Sequence, residues 1–409
     1  MNPDRRRFLV RSAGAMGTFA LAPDLGARAG ASQGSLKVGV IGAGRQGRAI
    51  LAELAKLENV TVTAVADVVE SRLRSGLRRA QGATGYADHG ALVAEADVDA
   101  VFVSTPTHLH REPALAALAK GRHVYCEAPL AHTLEDCRAI ASAARDSGAK
   151  FMVGMLGRSN PIYDLARDFA RSGAVRDMVS LRAQSAQKNS WRVPARDPAD
   201  EEALNWRLDP STSLGLPGEL GVHQFDVFHW FLGQYPTAVR GRASLQLHKD
   251  GREVPDTVAL ELEFPGDRML VYEATLGNSY EGTYELFRGS MGSFKLAWTA
   301  GWMFKEADAP TLDWEVYANR QQFHDEQGIT LIADATQLAA QGRLKEGVGL
   351  PEPPLYYAVS DFVAACTEDA PIPTSAGEGL RATAIAIQAQ EAIRTGQRVE
   401  IPAELLEDR

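Results

Sequence analysis

The stretch Gly42-Ala43-Gly44-Arg45-Gln46-Gly47, with Asp67 lying 20 positions beyond its last glycine, is the strongest chemical signal in the chain. Glycines at this spacing permit a tight turn at Gly42, close approach of backbone to a pyrophosphate at Gly44, and close helix–strand packing at Gly47. The helix that follows offers unpaired N–H groups and positive dipole to an anion, and Arg45 and Gln46, between the glycines, are further cofactor-binding candidates. Asp67 is placed to accept hydrogen bonds from an adenosine ribose. That favours NAD over NADP, whose extra phosphate it would repel, and Arg72 softens the preference.

This chemistry requires a strand before the glycines and a helix after them. Residues 36–41 form a β-branched run, 49–57 are apolar at helical spacing, and 60–66 read as a second strand ending at Asp67. The alternation continues with strands at 100–104, 123–126 and 151–154 and helices at 112–120 and 134–147. Such alternation predicts a doubly wound parallel sheet whose ligand sits at the strand C-terminal ends. Two of those ends carry Ser104-Thr105-Pro106-Thr107-His108-Leu109-His110 and Glu127-Ala128-Pro129-Leu130. Thr105, Pro106, His108 and Glu127 are thereby expected to face the nicotinamide end of a dinucleotide. Further on, residues 257–264 and 269–274 alternate in strand fashion around the turn Pro265-Gly266-Asp267.

The bulk properties agree with a globular protein and exclude several classes. A chain of 409 residues holds two or three domains. Its net charge of −9, from 43 basic and 52 acidic residues, leaves no basic domain for phosphate backbones, so nucleic acid is excluded as a partner. Cys126, Cys137 and Cys366 are too scattered for a disulfide framework or a CxxC metal site. No apolar run is long enough to span a bilayer, so no stable membrane anchor is expected.

The charge is uneven. Arg5, Arg6, Arg7, Arg11 and Arg28 stand against only Asp4 and Asp24 at the N-terminus. The order Arg5-Arg6-Arg7-Phe8-Leu9, a small-residue run, then Ala27-Arg28-Ala29 resembles a twin-arginine export signal over residues 1–31, with Asp4 where Ser or Thr is usual. That pathway carries folded proteins, which fits a chain that must close around a tightly bound nucleotide before reaching a periplasmic or other extracytoplasmic location.

In sequence order, G-x-G-x-x-G, Asp67, S-T-P-T-H-L-H and E-A-P are similar to the family of glucose–fructose oxidoreductase, inositol dehydrogenase and MocA-type proteins. Asn205-Trp206-Arg207-Leu208-Asp209-Pro210, the run from Gly218 to Asp226, and Phe287–Ser293 extend the resemblance, which covers roughly residues 37–402. It implies an α/β protein: an N-terminal Rossmann domain over 35–155, then an α+β domain over 156–409 with a large, mostly antiparallel sheet. The open face of that sheet commonly forms a homo-oligomer surface in the family. The resemblance also implies hydride chemistry on a hydroxyl of a sugar or polyol, with NAD bound, NADP as the other option, and no metal.

The resemblance further assigns roles. Glu127 matches the residue that contacts the nicotinamide-side ribose; Trp206 and Arg207 are candidates, outside that match, to close over cofactor or sugar, with aromatic packing in the domain crevice as the other account. Members usually have Glu-Lys-Pro where this chain has Glu127-Ala128-Pro129, and Ala128 cannot move a proton. The remaining proton-transfer candidates are His223, Glu219 and Asp226. His223 titrates near neutrality and can take a hydroxyl proton while Glu219 or Asp226 orients it. On a helix, His223, Asp226 and His229 recur on roughly one face. Arg158, Tyr163 and Lys188 are expected to bind substrate, Lys188 supplying the cation that Ala128 does not. The absent lysine and the leader keep two other readings open: a redox-neutral glycosidase that retains its NAD, and a non-catalytic sugar or nucleotide sensor.

Overall fold

Short runs of β-branched and apolar residues build the first sheet. In the computed structural model, β1 (Leu36–Ile41), β2 (Val60–Ala66), β3 (Thr84–Tyr86), β4 (Ala100–Val103), β5 (His123–Cys126) and β6 (Phe151–Val153) lie in the order β3-β2-β1-β4-β5-β6. The pairings are all parallel. Val38, Val40, Val101 and Phe102 are fully buried, as expected of strands covered on both faces. Strand order reverses between β1 and β4, which is where an open α/β sheet leaves a crevice for a ligand. The structure describes residues 35–406 apart from 196, 312–314, 316–319, 324 and 333–348. The twin-arginine reading therefore lies outside the described residues.

The helix Pro354–Thr367 belongs to this first core despite its distance in sequence. Leu355, Ala358, Val359, Phe362 and Val363 join Val38, Phe102 and Tyr125 in one apolar cluster. Phe362 meets Phe102 edge to face at 5.2 Å between ring centroids. Its truncation to Ala would remove about 3–5 kcal/mol. The Rossmann core is thus completed by a helix from beyond the second sheet.

That second sheet contains β7 (Met178–Ala186), β8 (Ala238–Ser244), β9 (Thr257–Phe264), β10 (Arg268–Thr275), β11 (Thr283–Gly289), β12 (Gly292–Leu296), β13 (Gly301–Lys305), β14 (Arg320–Phe323), β15 (Glu326–Leu331) and β16 (Val399–Glu400). Its order is β14-β15-β13-β12-β11-β7-β10-β9-β8-β16. It is mostly antiparallel, with β7 and β10 running parallel. Val258, Leu260, Leu262 and Phe264 point inward in strict alternation along β9. The helix Ala376–Thr395 lies against β8 and also against the helix Val222–Leu232. A capping box between Ser375 and Glu378 fixes its start.

Contacts divide the chain into two units. The larger comprises 35–160, 180–285 and 352–409 and contains the Rossmann sheet. The smaller comprises 161–179 and 286–351 among the described residues, where the amphipathic helix Pro161–Arg171 buries Ile162, Tyr163, Ala166 and Phe169.

Candidate active site

The glycine loop is held from three sides. Gly42 adopts φ +94°, and a Cβ there would lie 2.7 Å from the Ser104 carbonyl, so the loops after β1 and β4 touch. A Cβ on Gly47 would meet the Gly42 oxygen at 1.8 Å, whereas one on Gly44 would enter open space. Ser104 Oγ donates to the Gly42 carbonyl at 2.7 Å. Asp67 accepts from Ala43 N at 2.7 Å and Val69 N at 2.8 Å, anchoring the loop while burial raises its pKa. Gly44 thus opens onto a prepared cradle at a helix N-terminus, and these residues fit a dinucleotide pyrophosphate.

The cradle forms one end of a cleft of about 1250 Å³ within the larger unit. Gly42, Gly44, Arg45, Gln46 and Asp67 line that end; Gly47 does not, being packed beneath the loop. Thr105, Pro106, His108, Glu127, Trp206 and Arg207 line the cleft as well. Gln46 Nε2 donates to Glu127 Oε1 at 3.0 Å, which ties the glycine helix to the end of β5. Burial pushes the Glu127 carboxyl up to about 7. His110 pins the same region, with its ring nitrogens 2.9 Å from the Thr105 carbonyl and 3.0 Å from that of Pro129.

Two of the three expected proton-transfer residues reach the cleft. Glu219 sits in a π-helical turn, Pro217–Gly221, immediately before the helix Val222–Leu232 that carries His223. Thr107 Oγ1 donates to Glu219 Oε1, and Arg207 Nε to Oε2, both at 3.2 Å. Glu219 is nearly inaccessible, and burial raises its pKa against the opposing pull of Arg207. Burial lowers His223 to about 4, so its imidazole is neutral at pH 7.

Asp226 goes elsewhere. Arg158 grips it through two bonds, Nε to Oδ2 at 2.8 Å and Nη2 to Oδ1 at 2.7 Å, and also bonds Glu378. The Arg158 and Asp226 side chains are 6% and 2% exposed, and neither lines the cleft. The expected orienting role of Asp226 and substrate role of Arg158 are replaced by a buried pair that fastens the loop after β6 to two helices. One-face spacing failed because a partner distant in sequence claimed Asp226.

Lys188 also departs from expectation. It is exposed between Gln187 and Asn189, which do line the cleft, as alternation in an extended segment requires. Tyr163 lies in the smaller unit, fully buried, where its hydroxyl accepts from Trp298 N at 3.2 Å and its ring packs on Trp298 at 5.5 Å.

A cation on the cleft wall is Arg207. It bonds Glu219, acts electrostatically on Glu127, and lies over the rings of Trp206 (4.3 Å) and Trp191 (5.9 Å). Trp191, Thr107, Gln187 and Asn189 were not among the expected site residues. Trp191 carries a local signal: Asn189 Oδ1 accepts from Trp191 N at 2.9 Å, an Asx turn holding φ at +61°. The clamp of Asn205 on both backbone groups of Val193, at 2.8 and 3.0 Å, has no such signal.

A parallel sheet with a glycine cradle at its reversal point, facing a His–Glu wall, defines a dinucleotide-binding protein equipped for proton transfer. Residues 36–155 match the model for the NAD-binding Rossmann fold of the Gfo/Idh/MocA oxidoreductases, and 183–401 match that for their C-terminal alpha/beta domain. The chain belongs to this oxidoreductase family, and NAD is its cofactor. It is 30% identical over 252 residues to inositol 2-dehydrogenase of Acidothermus cellulolyticus, covering 61% of this chain and 69% of that protein. It is 26% identical over 264 residues to 2,7-anhydro-N-acetylneuraminate hydratase of Escherichia coli, covering 64% and 67%. Its fold is similar to that of levoglucosan dehydrogenase in complex with NADH and levoglucosan, with a TM-score of 0.72 at 23% identity over 90% of this chain and 100% of the other.

Proposed function

We propose that this protein oxidises or reduces a hydroxyl-bearing carbon of a small carbohydrate, using NAD held in the cleft. The observation that carries the reading is the placement of His223 and the Thr107–Glu219–Arg207 network on the wall of the same cleft that begins at Gly44. Gly44, Gln46 and Asp67 would hold the nucleotide, with Glu127 toward its nicotinamide side. When bound, NAD supplies the hydride acceptor and donor.

The chain's own residues handle the proton and the ring. His223, neutral at pH 7, accepts the hydroxyl proton, and Glu219 keeps Arg207 fixed beside the reacting carbon. Gln187 and Asn189 offer neutral amides to ring hydroxyls, and Trp191 and Trp206 offer flat apolar faces. Neutral polar groups and aromatic faces on one cleft suit a sugar or polyol.

Ala128 favours a second reading on a specific ground: without a lysine beside the hydroxyl, the site is compatible with a cycle in which the hydride returns and net redox is zero. The similarity to a hydratase supports it. The assay that separates the readings incubates the full chain with NAD and panels of polyols, anhydro-sugars and glycosides. Net NADH formation identifies a dehydrogenase. Released aglycone or hydrated product without net NADH identifies the redox-neutral cycle. Saturable sugar binding with neither signal leaves a sensor.

The arginine-rich leader supports export of the folded, nucleotide-loaded chain to the periplasm or another extracytoplasmic site. Ala259, Met269 and Val271 on the exposed face of β9 and β10 support self-association there. Light scattering of the purified chain tests the latter, and a monomer at micromolar concentration rejects it.

A further inference from the structure

The loop between β8 and β9 brings a buried arginine to the cleft. Arg252 stands on the cleft wall, yet its side chain is only 1% exposed. Asp250, two residues earlier across Gly251 at φ +89°, accepts from Nε at 2.7 Å and from Nη2 at 2.6 Å. That grip occupies one edge of the guanidinium. A guanidinium has more donors than this pair uses, and both N–H groups on Nη1 and the second on Nη2 find no partner among the described residues. They form a second fork, which matches the oxygens of a carboxylate or phosphate.

The loop that carries Arg252 is held in place. Buried Asp256 accepts from the N–H groups of Gln246, Leu247 and His248, each at 2.8 Å. His248 Nε2 donates to the Leu276 carbonyl at 3.1 Å, and Asn189 N donates to the same oxygen at 3.1 Å. The loop is thereby fastened beside the segment that offers Gln187 and Asn189 to ring hydroxyls. Charge around Arg252 is shared rather than cancelled. Asp250 also accepts from Arg192 Nε at 2.8 Å, and Arg192 lines the cleft too. One carboxylate thus serves two guanidinium groups. Arg252, with burial opposing and Arg192 assisting, holds the Asp250 carboxyl well below the usual carboxylate range. Glu201, which joins Arg192 at 3.1 Å, is 51% exposed and screened by water. The buried end of this chain of charges is therefore its cationic end, where a further anion is favoured.

We propose that Arg252, held by Asp250 and flanked by Arg192, binds an anionic substituent of the carbohydrate, a carboxylate or a phosphate ester. The substrate class is then a sugar acid or a sugar phosphate rather than a neutral polyol. This inference rests on the carbohydrate reading of the cleft and narrows it.

Calorimetric titration of the full chain saturated with NADH tests it. The ligands are D-glucose, D-glucuronate, D-glucuronamide and D-glucose 6-phosphate, the galacto and manno counterparts of each, and acetate and inorganic phosphate as free anions. The comparison protein is Arg252→Gln, checked by its melting curve. A uronate that binds at least about tenfold tighter than its neutral sugar and its amide, and loses that advantage in the variant while the neutral sugar and NADH bind as before, establishes a carboxylate as the occupant. The same pattern with a 6-phosphate establishes a phosphate ester. Neutral sugars that bind as tightly as their anionic relatives overturn the subsite and leave the carbohydrate reading intact. Binding of acetate or phosphate that the variant abolishes, with no sugar bound, supports the oxyanion site and overturns the carbohydrate reading instead. Binding by none of these ligands overturns the subsite. So does an anion preference that the variant retains, or a variant that weakens neutral sugar and NADH alike. Where Arg252→Gln unfolds, Arg252→Lys keeps the charge without the fork; a reduced preference for the anion then supports the site, and an unchanged one overturns it.

Discussion

Two carboxylate–arginine pairs from one short segment have opposite fates. Glu219 meets Arg207 through a single bond at 3.2 Å, and Arg207 itself remains 44% exposed at the cleft. Asp226 meets Arg158 through two shorter bonds, with both side chains below a tenth exposed. The first pair keeps a guanidinium available beside a space for substrate. The second spends its charge on joining elements, and a buried ion pair of this kind is costly to break from one side. The same chemistry serves as a working group where solvent and ligand can reach it and as a fastener where they cannot.

Breaking the fastener gives the largest expected effect. Asp226→Ala leaves Arg158 buried without its bidentate partner and should cost about 3–5 kcal/mol, read by urea unfolding. A variant that keeps full stability but loses turnover would place Asp226 in the chemistry and erase the contrast. His223→Ala should lower turnover by about 10²–10⁴-fold while retaining NADH affinity, because only proton transfer is removed. Full activity would dismiss the assignment.

Glu219→Gln is expected to be milder. The amide keeps contact with Thr107 but loses the charge that holds Arg207, so turnover should fall by about 10- to 100-fold with stability changed by less than about 1 kcal/mol. If it instead unfolds the protein, the two pairs are alike.

The smallest effect is a dependence of stability on pH. His110 and His223 are each lowered from 6.5 to about 4, so the unfolded chain binds more protons in that window. Their contribution is complete above pH 6.5 and is lost as pH falls toward 4. Glu127, raised from 4.5 to about 7, acts oppositely, its stabilising protonated form being lost as pH rises through that range. Glu127→Gln should therefore steepen the loss of stability on acidification from pH 6.5 to 4.5. An unchanged slope would show that Glu127 titrates normally.

The legible parts of this molecule were local. Strand, glycine turn and helix follow one another within residues 36–54, so spacing alone located the cradle, and Gly42 and Gly47 meet the close contacts their types anticipate. Glu219 and His223 were legible from the resemblance of a short motif, and both reach the cleft. Asp226 was misjudged because helical spacing fixes direction to within a face but says nothing of a partner 68 positions earlier. Lys188 was misjudged because its neighbours, rather than itself, point inward. Where the closing helix packs was unreadable for the same reason, since Phe362 and Phe102 are brought together only by the fold.

The sequence by itself determined the class of each sheet, the dinucleotide cradle and the loss of a lysine at Ala128. These depend on backbone conformation and on residue type, both short-range properties. Tertiary structure alone decided which charged side chains became working groups. It placed Arg207 beside two indoles at the cleft and Arg158 in the dry interior, because exposure and partner choice are settled by packing between distant segments.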